Sequence, residues 1–461
     1  RDVLWVAGFR AALDVVAVGA LAWIGSQSFG RVAGYVGSLA YAVGPWAIYF
    51  ARKTWVSPIG LFGTIALLGA LLLVGQRRAG GWPIATLGVA LAISSHLSGL
   101  YLLPGLALAL LLGWRRLQPA VLLAGLIPLA LVAAAYAAAD APTAFQNIQS
   151  LLRAQGGGGA GTAALDFALW QTSGAKLAEY SGLPALFVRE GTPPDLINFV
   201  PPALVVLGMV LAVGQWQRDR TRAQARAALV AVGFWLGVIV PQLRAIPAPQ
   251  PHYVQLAIPA AFALVGYAAS AIWRWVAARP AIWPRLGLAG LLLGVTGYDL
   301  AYTFSLNSAA AATGPFPGYR PMAPALAVAT AARGLLASCS AGEILIGAPG
   351  ANPEVDDQAA VYGTLLADRR PRLFDTRMAV LAPAGCGVWI IAPGDGRAPE
   401  ALGVAGYGAR RAVPFPAPEA SLGRWAHGIE ALGVGVGVAE STWATVTLRV
   451  TEGGIGGEDA H

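Results

Sequence analysis

Between Gly44 and Pro58 the chain reads G-P-W-A-I-Y-F-A-R-K-T-W-V-S-P. An apolar run ends in the aromatics Trp46, Tyr49 and Phe50. Two adjacent cations, Arg52 and Lys53, follow, and Trp55 and Pro58 lead into the next apolar run. Trp and Tyr concentrate where hydrocarbon gives way to lipid headgroups, and cations beside them can meet phosphate there. The stretch reads as the end of one membrane span and the start of another. Its two charges are either a phosphate-reading site or a plain anchor to the headgroups.

The rest of the chain supports a membrane setting. Of 461 residues 56% are apolar and only 12% charged, with a mean hydropathy of +0.61. Soluble domains average roughly 45–50% apolar and about 25% charged. Ten apolar segments can be read, at 3–24, 31–50, 58–75, 82–96, 97–113, 119–139, 198–216, 227–243, 254–277 and 284–306. Only helices satisfy every backbone group inside their own span, so this pattern predicts a polytopic α-helical membrane protein. The fourth and fifth segments are short for a hydrocarbon core and are expected to be a tight pair meeting near Ser94-Ser95-His96. Arg1 stands almost at the start of a span, so an upstream span or loop is expected.

Charge placement orients the spans. Arg31, Arg77, Arg78, Arg115, Arg116, Arg218, Arg220, Arg222, Arg226, Arg274, Arg279 and Arg285 fall on one set of loops. The short loops at the other ends hold Arg52, Lys53 and Arg244. By the positive-inside rule the first set is cytoplasmic. The net charge of +8 is then a topology signal and not a nucleic-acid surface. This orientation puts the Arg52-Lys53 loop, the Ser95-His96 turn, the loop 140–197 and everything after about residue 307 outside. The loop 140–197 is too long for a connector. It is predicted to hold helical pieces at 143–153 and 163–181 around Gly156–Gly159. The second, carrying Trp170 and Leu177, is expected to lie on the membrane surface.

Residues 1–306 thus read as a transmembrane domain of about ten spans, and 307–461 as an extracytoplasmic α/β domain. Its expected order is a helix at 325–336, a strand at 343–347, a helix at 357–366, and strands at 372–374 and 387–392. A β-rich, partly disordered tail follows. Cys339 and Cys386 each precede a strand, and a disulfide between them is feasible if those strands are neighbours. Metal-ligand spacings are missing from the sequence, and Gly347-Ala348-Pro349-Gly350 lacks the Lys-Ser/Thr of a phosphate loop. No cofactor and no metal is expected.

From Phe29 to Trp55 the chain reads F-G-R-V-A-G-Y-V-G-S-L-A-Y-A-V-G-P-W-A-I-Y-F-A-R-K-T-W. This resembles the third-span region of bacterial GT-C glycosyltransferases, the polyprenyl-phosphate-sugar enzymes related to protein O-mannosyltransferases and aminoarabinose transferases. Their usual form is an apolar helix ending SPW and then YSRKxW. Gly44 and Ala51 replace the two serines, and Phe50 replaces the tyrosine. Arg10 in the preceding helix, and then His96-Leu97-Ser98, Leu102-Leu103-Pro104, Trp170 to Gly182 and His252-Tyr253, agree in order. The resemblance implies transfer of a sugar from a polyprenyl-phosphate carrier to a protein, lipid or glycan on the outer face of a bacterial-type cytoplasmic membrane. The family's catalytic carboxylate usually lies in the first outer loop. On this reading the chain begins at the second span, so the catalytic residue is unknown and is expected upstream of Arg1.

The chemistry gives each polar residue a functional and a bland role. As the donor's glycosidic bond breaks, negative charge grows on the phosphate. Arg52 and Lys53 are expected to hold it, with Arg10 and His96 as further donor-phosphate candidates. The bland roles are snorkelling to headgroups for the first two, an intrahelical ion pair with Asp14 for Arg10, and a structural hydrogen bond for His96. Arg244, His252 and Tyr253 form a secondary outer cluster. Asp299 is a reserve carboxylate, expected to pair with an outer arginine. Gly290 and Gly294 are expected to serve helix packing. Two rival classes remain: a catalytically silent scaffold subunit of a membrane assembly, and a lipid-sugar transporter or flippase. A transporter calls for polar residues or broken helices near mid-membrane, whereas these charges gather mostly at span ends.

Overall fold

The computed structural model describes residues 3–52, 59–143, 145–146, 149, 162–177, 196–244, 251–313, 322–337, 343–348, 357–379, 381, 387–391, 410–411 and 447–448. The chain divides into two compact units. The larger comprises Asp2–Ala178 and Glu190–Leu306, and the smaller contains Asn307–His461.

The larger unit is a helical membrane bundle. Among the described residues six helices are long and apolar enough to cross a bilayer: Gly8–Phe29, Leu97–Arg116, Pro119–Asp140, Leu196–Arg218, Ala223–Leu243 and Pro251–Ala277. Two shorter apolar helices, Gly60–Val74 and Gly81–Ser95, accompany them. In chain order the elements are α1 (Val3–Phe29), α2 (Arg31–Val43), α3 (Pro45–Ala51), α4 (Ile59–Val74), α5 (Gly81–Ser95), α6 (Leu103–Gly113) and α7 (Pro119–Asp140). Then come α8 (Ala163–Trp170), α9 (Val200–Arg218), α10 (Ala223–Ile239), α11 (Pro251–Val254), α12 (Ile258–Ala277) and α13 (Trp283–Thr313).

The segment expected to be one span at 31–50 is broken. Pro45 disfavours the helical region for the residue before it, so Gly44 is extended at φ −58°, ψ 121°. Pro45 then opens α3, where its missing N–H costs nothing. This break redirects the aromatic end of the segment, which matters for the site below.

Packing here follows membrane logic, in which small residues let backbones approach because lipid supplies no strong hydrophobic drive. Helix α12 is the axis: every residue from Ile258 to Ser270 is buried. A methyl added at Gly266 would collide with the Ala33 carbonyl, and one at Gly37 would meet the Phe262 carbonyl at 2.5 Å. At the other extreme α7 buries only Gly125 and Asp140 and is held to α5 by the Trp82 indole donating to the Leu122 carbonyl at 3.1 Å. Among the described residues the packing role expected of Gly290 and Gly294 is not found. A methyl at Gly287, Gly290, Gly294 or Gly297 would meet nothing within 4 Å. The buried stripe of α13 is instead Asp299, Tyr302, Thr303 and Leu306, which share one helical face.

The smaller unit holds a three-stranded parallel sheet, β1 (Glu343–Ala348), β2 (Arg372–Asp375) and β3 (Gly387–Ile391), in the order β2-β1-β3. Ile346 faces Leu373 on one side and Ile390 on the other. Central strand β1 buries five of its six residues, as the continuous apolar run of a parallel strand requires. Helices α14 (Met322–Leu336) and α15 (Asp357–Leu365) complete the α/β order. Arg333 of α14 donates to the Leu365 carbonyl at 2.6 Å and to Asp368 at 2.8 Å. A short antiparallel pair joins Arg410–Arg411 to Thr447–Leu448. The strands that follow Cys339 and Cys386 are neighbours, while the two cysteines lie outside the described residues.

Candidate active site

Helix α3 begins the site. Trp46 is fully buried, and its ring lies 5.9 Å from Tyr49 and 5.7 Å from Phe50. Its indole N–H donates to the carbonyl of Ala175 at 3.0 Å. Arg52 closes the helix with its own N–H on the Ile48 carbonyl at 3.2 Å, and its side chain is exposed. Lys53, the second cation of the pair, lies outside the described residues.

The partner of Trp46 is a loop and not the surface helix expected at 163–181. Helix α8 ends at Trp170, and Gln171–Lys176 folds as successive turns and bends. Thr172 and Ser173 turn their hydroxyls back onto the carbonyls of Leu169 and Trp170, at 2.6 and 3.4 Å. Such local bonds compete with helix propagation. Lys176 takes a left-handed backbone at φ 58°, and Leu177 is wholly buried. The loop therefore plugs into the bundle. Gln171 donates to the Pro251 carbonyl, and Gly174 fits against the Tyr302 ring with no room for a side chain.

Beyond Pro251 the site gains its histidines. His96 ends α5 and caps the following 3₁₀ turn, Leu97–Leu102. Its Nδ1 accepts the Ser98 backbone N–H at 3.1 Å and lies 2.8 Å from the Ser98 hydroxyl. An accepting Nδ1 fixes the neutral tautomer with its proton on Nε2. The His96 ring sits 5.9 Å from His252 and 5.5 Å from Tyr253, and those two are 4.3 Å apart. Gln242, also buried, donates to the Val238 carbonyl at 2.7 Å and the Tyr253 carbonyl at 3.4 Å. His96, His252 and Tyr253 are thus one cluster. Arg244 ends the turn Val240–Arg244, and its side chain lies outside the described residues.

Arg10 belongs to a second group deeper in the bundle. It is 6% exposed and lies within electrostatic range of Asp14 and Tyr41. The expected Arg10–Asp14 ion pair does not close: Arg10 Nε and Nη2 and Asp14 Oδ2 are buried with no hydrogen-bond partner. Tyr41 stacks on Phe262 at 5.5 Å, and its hydroxyl faces Thr64. The Tyr41 hydroxyl and the Gln255 amide also approach Gly60. Gln255 follows α11 directly, so this group lies one turn along the chain from His252-Tyr253. Asp299 is 3% exposed, and among the described residues no arginine pairs with it. Its stripe, through Tyr302, faces the loop at Gly174, and the side chains of the outer cations Lys53 and Arg244 lie outside the described residues.

Gln171, Gln242 and Gln255 were missed by sequence reasoning. Each is at least 96% buried, and each has an Oε1 without a partner. Buried polar atoms of this kind are completed by water or ligand. Their signal was an isolated amide at the edge of an apolar run, a pattern too common to single out.

This arrangement defines a class. The chain has the GT-C membrane fold, a bundle of apolar helices followed by a small α/β unit. It is similar to the crystal structure of ArnT from Cupriavidus metallidurans in the apo state, with a TM-score of 0.51 and 16% identity over 88% of this chain and 80% of that one. The structure of the same ArnT bound to undecaprenyl phosphate matches equally, with a TM-score of 0.51 and 16% identity over 89% of this chain and 81% of that one. No protein-family model and no curated protein matches the chain.

Proposed function

We propose that the chain is a membrane glycosyltransferase that takes its sugar from a polyprenyl-phosphate donor and passes it to an acceptor on the outer face of the membrane. The observation that carries the reading is the fold, shared with an ArnT that was crystallised with undecaprenyl phosphate. In the proposed reaction the bond between the sugar's anomeric carbon and the phosphate oxygen breaks, and the polyprenyl phosphate leaves with the electron pair. Arg52, at the exposed end of α3, meets that growing charge, and Lys53 adds a second cation. The Nε2–H of His96 is a neutral donor to the same phosphate, with His252 and Tyr253 beside it. Arg10 gives the deeper group a cation whose Nε and Nη2 still lack partners. The acceptor hydroxyl oxygen bonds to the anomeric carbon in place of the phosphate oxygen, and a carboxylate takes the proton that hydroxyl loses. With the arginine-rich loops cytoplasmic, the site and the 307–461 unit lie outside.

The test is release of undecaprenyl phosphate from an undecaprenyl-phosphate-linked sugar by the purified full chain. Arg52 is exposed, so Arg52→Ala should leave the fold intact and lower turnover by about 100-fold, the scale of losing one charge-stabilising group. Unchanged turnover in Arg52→Ala removes the assignment. Failure of the wild type to bind undecaprenyl phosphate removes the donor class.

A further inference from the structure

At the ends of the helices remote from His96, three arginines converge from three separate segments: the turn after α4, the 3₁₀ turn after α6 and the first turn of α10. Gly75, at the end of α4, sits against Ala227, a methyl added there standing 3.2 Å from the Ala227 side chain. Gly113, at the end of α6, sits against Leu73. The segments carrying Arg77, Arg116 and Arg226 are therefore neighbours, and Arg116 lies within electrostatic range of both other guanidinium groups.

Three features mark the trio as more than a topology signal. Arg77 holds a left-handed backbone, φ 59°, at the end of α4 where Gly or Asn is usual. A strained non-glycine residue at such a point suggests a use for its side chain. Arg116 is half-buried, and its Nη1 is wholly buried without a hydrogen-bond partner. Among the described residues no carboxylate pairs with any of the three. Asp219, in the neighbouring loop, is engaged by the Thr221 amide at 2.9 Å and hydroxyl at 2.6 Å. Arg226 Nε donates to the Arg220 carbonyl at 2.8 Å, which fixes the side chain in place. The positive-inside rule explains a cation in each loop, but not their convergence, since like charges close together repel.

We propose that Arg77, Arg116 and Arg226 form a binding site for the phosphodiester headgroup of an anionic membrane lipid, distinct from the site at the other helix ends. Their chemistry matches a phosphodiester, which arginine forks can bind from several sides. Their depth matches a headgroup. Nearby arginines lie over interfacial tryptophans, Arg115 on Trp114 and Arg220 on Trp216 at 5.9 Å and Arg279 on Trp275 at 3.4 Å. Such pairs mark the membrane–water boundary. Basic pockets between helix ends at this depth suit anionic lipids.

The test is the thermal unfolding midpoint of the full chain in neutral detergent with phosphatidylglycerol, phosphatidylcholine or inorganic phosphate added. Phosphatidylglycerol should raise the midpoint by about 2–4 °C; the other two should leave it unchanged. Arg77→Gly suits the left-handed backbone, so its lipid-free midpoint should equal or exceed wild type while most of the phosphatidylglycerol increment disappears. Arg116→Gln should lose the increment as well. The proposal is overturned if both variants keep the full increment, if phosphatidylglycerol gives none, or if inorganic phosphate or phosphatidylcholine gives the same one.

Discussion

The two nitrogens of His96 have separable tasks, and two side chains can separate them. Nδ1 caps the turn Leu97–Leu102 by accepting the Ser98 N–H at 3.1 Å, while Nε2–H is left to face the proposed phosphate. Asn places an amide oxygen near the site of Nδ1, and Gln places an amide N–H near the site of Nε2. His96→Asn should therefore keep the cap and the thermal midpoint, within a few tenths of a kcal/mol. It loses a hydrogen bond to a charged group worth about 1.5–3 kcal/mol. At 1.36 kcal/mol per tenfold, that is a fall in turnover of roughly 10- to 150-fold. His96→Gln should do the reverse. Losing the cap costs about 1 kcal/mol, a midpoint drop of about 2–4 °C, while turnover stays within a few-fold of wild type. The assay pairs detergent thermal melts with undecaprenyl phosphate release on both variants. Equal turnover in Asn and Gln variants would refute the division of labour, and equal melting points would refute the cap.

Other perturbations test the surroundings. Trp46→Phe strips the Ala175 carbonyl of its donor and should destabilise by about 1–3 kcal/mol; an unchanged melt would show that the loop is not held there. Asp299→Asn removes an ionisable carboxyl from a site 3% exposed, with no paired arginine among the described residues. Its midpoint should match or exceed wild type, and a large drop would expose a hidden cation. In the smaller unit, the hydrogen bond from Arg333 holds the Asp368 carboxyl below its ordinary range. A depressed folded pKa gives stability that is present above the unfolded value near 4 and fades as pH falls through the folded one. Asp368→Asn should flatten that acid limb slightly, since the aspartate side chain is 54% exposed and such pairs contribute little. An acid limb identical to wild type contradicts the pairing.

Much of this protein was legible without coordinates, for a local reason. Whether a segment enters lipid depends on its own side chains, and among the described residues long or shorter apolar helices stand at eight of the ten segments, 31–50 and 284–306 being the exceptions. Strand and helix order after Pro321 followed equally from local pattern, and β1 to β3 fall where the alternation of apolar runs and turns placed them. The break before Pro45 was not foreseen, although proline restricts the residue before it: the apolar run continues through it and reads as one span. Interactions between distant segments were not legible. Nothing within reach of His96 in sequence points to His252 and Tyr253, and nothing near Trp46 points to Ala175. The row Gly287–Gly297 has helical spacing, yet among the described residues it faces no neighbour. The burial of Gln171, Gln242 and Gln255, the unclosed Arg10–Asp14 pair and the meeting of Arg77 with Arg116 and Arg226 are likewise tertiary facts. The sequence by itself determined that Arg52 ends an aromatic helix at an interface. Only the crossing of the helices, set by where small residues let backbones touch, decided which side chains gather around that end and which meet at the other.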